Sequence, residues 1–119
     1  MQYLLLIYRD EKRWAELSRE EHNRVHVACG AWHDELSKAG LNTHCQALQP
    51  ASTATTVREK FGKITVTDGP FAETREVLGG FETIECQDLN EALTIAKRFP
   101  GLGAGISVEV RPVMTDCME

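Results

Sequence analysis

The spacing of apolar and polar residues changes several times along this 119-residue chain, and each change predicts an element. In "QYLLLIY", residues 2–8, apolar side chains fill nearly every position. That is the pattern of a central strand covered on both faces. The polar run "RDEKRWAEL", residues 9–17, reads as a connection, with Trp14 and Leu17 folding back toward the core. From Ser18 the period becomes helical: Val25, Cys29, Trp32, Leu36 and Ala39 fall on one stripe. Ser18 and Glu21 spell a capping box, and Gly40 supplies the left-handed residue that ends a helix. "LNTHCQAL", residues 41–48, is a strand closed by Gln49-Pro50. Residues 54–60 and 63–67 form the arms of a hairpin turning at Gly62, with Ile64 and Val66 on one apolar face. "GGFETIEC", residues 79–86, is a further strand. Asp88 and Glu91 repeat the capping signature before a second amphipathic helix, built on Leu89, Ala92, Leu93, Ala96 and Phe99 and stopped by Pro100. After the flexible "GLGAG", residues 106–113 alternate, with Ile106, Val108 and Val110 facing one way and Ser107, Glu109 and Arg111 the other.

Strand, helix, strand, hairpin, strand, helix, strand is an α+β order. The expected architecture is a ferredoxin-like sandwich with an inserted β-hairpin, two helices lying on one face of an antiparallel sheet. Its strand-helix-strand crossovers should be right-handed. Because the first strand is apolar throughout, the opposite face of the sheet also needs cover, and no segment of the chain remains to provide it. A second copy of the same sheet is the expected cover, which makes the partner another copy of this chain in a homodimer. Length sets one domain, residues 1–114, with 115–119 as a short tail.

Composition changes this picture little. The net charge of −5 is spread along the chain with no basic block, so nucleic acid is not an expected partner. "YLLLIY" is too short to span a bilayer and is followed at once by "RDEKR", so neither a membrane segment nor a secretory signal is expected. Cys29, Cys45, Cys86 and Cys117 show no paired spacing, which suits free thiols in a reducing cytoplasm.

"TDGPFAETREVLGGF", residues 67–81, together with "YLLLIYRDE" at the start, "LQPASTATTVR" in the middle and "VEVRPV" at the end, resembles the DGPF-motif group of the YCII-related domain family. The resemblance covers nearly the whole chain. It implies a dimeric α/β barrel, two ferredoxin-like sheets face to face, in agreement with the homodimer inferred above. Some relatives of this type are proposed to be enzymes using a His–Asp pair, and members of the DGPF group are often encoded beside extracytoplasmic-function sigma factors. Aligned on Ala39-Gly40, the family's helix histidine falls near Cys29 in this chain, with His26 and His33 one or two turns away.

Two readings of function follow. In the first, a small-molecule pocket lies under the loop that begins at Asp68, and acid–base chemistry is carried by Asp68 with His33 or His26. Tyr8, Arg58, Gly69, Pro70, Phe71 and Glu73 would line or border it. In the second, the protein is a non-catalytic binding or regulatory module linked to a sigma-factor pathway. Each residue also has a plainer role. Asp68 suits an Asx turn, Gly69 and Pro70 shape backbone, and Phe71 either plugs the core or lines the pocket. Glu73, Arg75 and Glu76 suit solvated or paired charges, and Arg58 and Arg111 suit pairing with Asp68 or Glu109. His22, His26, Cys29 and His33 lie within about 60° on a helical wheel, yet His22 and His33 stand about 16 Å apart along the axis. All four therefore cannot share one ion, and no metal ligand set is assigned. No phosphate loop, nucleophile elbow or zinc motif is present, and no cofactor is expected.

Overall fold

A computed structural model describes residues 1–116 as two layers, with a thinnest dimension of 18 Å. The elements in chain order are β1 (Gln2–Asp10), α1 (Glu11–Ala15), α2 (Arg19–Lys38), β2 (Asn42–Ala47), β3 (Thr55–Lys60), β4 (Lys63–Asp68), β5 (Glu76–Glu85), α3 (Leu89–Lys97) and β6 (Ile106–Pro112), with one 3-10 turn at Ala51–Thr53. Four strands make an antiparallel sheet in the order β2-β5-β1-β6, and among the described residues β3 pairs only with β4. β1 and β2 run parallel with β5 between them. β5 and β6 run parallel with β1 between them. Each pair is joined through a long helix, so the two crossovers interleave. This is the expected ferredoxin-like α+β arrangement, with β3–β4 as the inserted hairpin.

Alternation along the strands decides what each face carries. Tyr3, Leu5 and Ile84 point toward α2 and α3 and are buried there. Trp32 of α2 meets Phe99 edge-on at 5.1 Å, and its indole N–H donates to the Ile95 carbonyl at 3.3 Å. That bond satisfies the polar end of a buried indole and fixes the two helices side by side. The opposite face carries Leu4, Leu6, Tyr8 and Phe81, all only half-covered within one chain.

Capping follows the sequence, with one change. Ser18 Oγ accepts from Glu21 N at 3.1 Å and the Glu21 carboxylate accepts from Ser18 N at 3.2 Å, closing the box on α2. On α3, Asp88 accepts from Glu91 N at 2.9 Å, but the Glu91 side chain reaches Gln87 N instead of the cap residue. Residues 9–17 hold a short helix where a connection was expected, because Asp10 caps α1 by accepting from Arg13 N. Ala39, assigned to the apolar stripe of α2, is exposed, since the helix ends there. β5 begins at Glu76, three residues earlier than the pattern suggested. Val57, Ile64 and Val66 of the hairpin are exposed. Its turn places Phe61 as well as Gly62 at positive φ, 52° and 77°, and Phe61 is 95% exposed.

Gly80 explains half of the Gly-Gly pair. A Cβ there would lie 2.8 Å from the Gln46 carbonyl oxygen, so β2 and β5 approach closely only because the side chain is absent. Gly80→Ala is expected to destabilise the fold by separating these strands. Ile84→Ala should cost about 2–5 kcal/mol, as truncation of a fully buried aliphatic does. Urea unfolding followed by circular dichroism measures both.

Candidate functional site

Two places gather chemistry, one on each side of the sheet. The first is a cleft of about 770 Å³ between the hairpin, the 3-10 turn and the start of β5. Its floor includes Tyr8 and Leu78, cross-strand partners on the uncovered face. Leu48, Pro50, Ala54 and Val57 form one wall, and Pro70, Phe71 and Ala72 form the roof. The roof is held from the hairpin side. Gly69 N donates to the Ala54 carbonyl at 2.7 Å, Thr56 Oγ1 donates to the Gly69 carbonyl at 2.7 Å, and Arg58 donates to the Phe71 carbonyl. At the other end, Arg75 Nε donates to Asp10 Oδ2 at 2.8 Å, and Ser107 Oγ donates to Glu76 at 3.0 Å.

Of the residues singled out in the sequence, Tyr8, Pro70 and Phe71 line this cleft. Asp68, Gly69, Arg58 and Glu73 lie outside its lining. Gly69, at φ 107°, shapes the turn, and Arg58 ties the roof down. Among the described residues the Asp68 carboxylate accepts no backbone N–H, so the Asx turn does not form, and Gly69 is held instead by its bonds to Ala54 and Thr56. Arg111 pairs with Glu109, as its alternating position suggested. Among the described residues, no hydrogen bond or ion pair joins Asp68 to His26 or His33.

The helix histidines separate. His22 packs on Trp14 at 4.7 Å and its Nε2 lies 2.6 Å from the Trp14 carbonyl oxygen, while His26 meets the same ring edge-on at 6.1 Å. His33 goes elsewhere, to the second place, on the helix-covered side of the sheet. Its Nδ1 lies 3.2 Å from Asn42 Nδ2, 3.6 Å from Cys45 Sγ and 3.4 Å from Glu82 Oε1. Glu82 is 3% exposed. Burial, and then the nearby Glu82 carboxylate, push the Cys45 thiol above its ordinary range. Burial does the same to Cys29 and Cys86. None of these three cysteines is in a disulfide, and Cys117 lies outside the described residues. No described helix is long and apolar enough to cross a membrane.

The profile of the YCII-related domain matches residues 1–115. The chain belongs to the YCII-related family. This YCII-related protein is also 39% identical over 114 residues to an uncharacterised protein of Rhizobium meliloti (strain 1021), an alignment covering 95% of this chain and 92% of the relative.

Cys45 and Glu82 were absent from the residues picked out in this YCII-related sequence, yet one signal was available. Strand alternation puts Gly80, Glu82 and Ile84 on one face. A carboxylate between two inward positions is the anomaly that marks a buried polar site.

A third titratable group, Asp10, has a structural role. Its carboxyl is held below the usual carboxylate range, first by the Arg75 guanidinium and then by the Arg13 backbone N–H. A carboxyl lowered on folding stabilises the fold above its unfolded value of 3.8 and loses that effect as pH falls through the lower folded value. Asp10→Asn is therefore expected to lower the urea midpoint at pH 7, with the gap from the unmodified protein shrinking toward about pH 3. Parallel urea titrations across that range make the check.

Proposed function

We propose that this YCII-related protein is a homodimer that binds a small, largely apolar molecule in the cleft beneath residues 69–75. The observation carrying this reading is the position of the cleft. Its floor is continuous with the half-covered apolar face of Leu4, Leu6, Tyr8 and Phe81, so a partner sheet laid on that face would border the cleft and narrow it. An exposed apolar sheet of this kind favours self-association, and face-to-face packing of two copies buries both at once. Tyr8 makes no hydrogen bond through its hydroxyl among the described residues, and Thr53, Thr55 and Thr56 add polar groups to the wall. These supply a few directional contacts inside an apolar enclosure, the usual composition of a small-molecule site.

A second reading adds catalysis at the edge of the cleft, with Asp68, two residues before the lining residue Pro70, as the proton acceptor and without His33 or His26, which pack elsewhere. It is supported by one feature: Asp68 is exposed at the end of β4, and its carboxylate accepts no hydrogen bond among the described residues. In this reading Asp68→Asn abolishes turnover of a substrate while leaving its binding intact. Equal turnover by Asp68→Asn removes the catalytic reading and leaves the binding one.

Sedimentation equilibrium at micromolar concentration is expected to give twice the 13.3 kDa chain mass. Leu6→Glu or Phe81→Glu, each placing a charge in the facing pair at the centre of the open face, should give a monomer with its circular dichroism retained. A monomeric unmodified protein overturns the reading. For the cleft, thermal-shift screening of small apolar compounds should yield binders whose stabilisation is lost in Ala72→Trp, a substitution that fills the roof and leaves the dimer mass unchanged.

A further inference from the structure

The side chains of His33, Cys45 and Glu82 come together for a reason of register. Cys45 and Glu82 are direct cross-strand partners in the β2–β5 ladder, both facing the helices. α2 crosses above them and lowers His33 onto the pair. One ligand atom from each residue lies within 4.8 Å of the other two. Cys45 Sγ at 3.6 Å and Glu82 Oε1 at 3.4 Å both approach the same nitrogen, His33 Nδ1. Ordinary zinc–sulfur, zinc–nitrogen and zinc–oxygen bonds at tetrahedral angles give S···N and N···O edges of about 3.5 and 3.3 Å. The two edges at His33 Nδ1, 3.6 and 3.4 Å, match those such an ion requires, and the third pair of ligand atoms lies within 4.8 Å.

Glu82 provides the independent observation. It is 3% exposed, and among the described residues its Oε1 has no hydrogen-bond partner, meeting the His33 ring only at the longer ion-pair distance of 3.4 Å. A buried carboxylate oxygen without a partner is costly, and native proteins place a cation or a donor against it. The arrangement does not suit a nucleophilic relay. A relay uses one imidazole nitrogen for the nucleophile and the other for the carboxylate. Here both nearest approaches converge on Nδ1.

We propose that His33, Cys45 and Glu82 form a three-ligand site for a divalent, borderline-soft cation, zinc(II) being the metal this ligand set selects. Thiolate and imidazole together favour zinc over the hard cations magnesium and calcium. With neutral imidazole, thiolate and carboxylate, the bound ion has no net charge, which suits a site this deep. Binding breaks the Cys45 S–H bond and forms a Zn–S bond, and the proton leaves to solvent. The Asn42 amide nitrogen, 3.2 Å from His33 Nδ1, would give up that contact when Nδ1 takes the ion, and it has a second acceptor in Ser37 Oγ at 3.1 Å. The His33 side chain is 37% exposed, so the fourth position is open to water from that side.

Cobalt(II) and zinc(II) alone are the probes, titrated into the full chain after chelator treatment and dialysis. One equivalent of cobalt(II) should produce a near-ultraviolet thiolate charge-transfer band that zinc(II) displaces. Cys45→Ala, on an edge strand where the fold tolerates it, should abolish the band. Glu82→Gln, which keeps the shape of the buried side chain, should weaken zinc binding by at least about tenfold by calorimetry. His22→Ala/His26→Ala should bind as the unmodified chain does. No band in the unmodified protein, a band that survives Cys45→Ala, or equal zinc affinity in Glu82→Gln each overturns the proposal. Circular dichroism of every variant confirms that the fold is retained.

Discussion

Two helices can cover only one face of a four-stranded sheet, and this constraint organises the whole molecule. Every residue of β1 and β5 must belong either to the covered side, with Trp32, Leu36, Ile95 and Phe99, or to the uncovered one. A slip of one residue would exchange the two sets, so register decides which side chains are buried and which stay open. On the covered side, the same ladder that buries Leu5 and Ile84 also buries Glu82. On the uncovered side, the pairing of Tyr8 with Leu78 makes the floor of the cleft.

The fold was legible because its signals were local and agreed with one another. The capping box at Ser18 and Glu21, the stripe of Val25, Trp32 and Leu36, and the alternation of β6 each identify an element without knowledge of its neighbours. What was missed needed tertiary knowledge. α1 is too short to show a period, and it forms because Asp10, itself held by Arg75 from a distant loop, caps it. The early start of β5 depends on pairing with Arg9 and Asp10, which the side chains of Glu76, Val77 and Leu78 do not announce.

The candidate site was legible in part, and the division has a physical cause. Tyr8, Pro70 and Phe71 stood out as the end of an apolar strand and as a turn with an aromatic residue, and they do line the cleft. Gly69 and Arg58 stood out equally well, but their work is mechanical, because a conspicuous residue type reveals that a position is constrained without revealing by what. The histidines were grouped by a helical wheel, which measures angle and ignores what lies opposite. Once Trp14 takes His22 and His26, only His33 is left above Cys45 and Glu82.

The bonds from Ala54, Thr56 and Arg58 to residues 69–71 make the roof of the cleft an outgrowth of the hairpin rather than a free strap. Roof and hairpin therefore form one braced unit, with the Arg75–Asp10 pair at its foot. In the binding reading proposed above, a guest would forfeit little chain entropy on entering, because the arm over it is ordered beforehand.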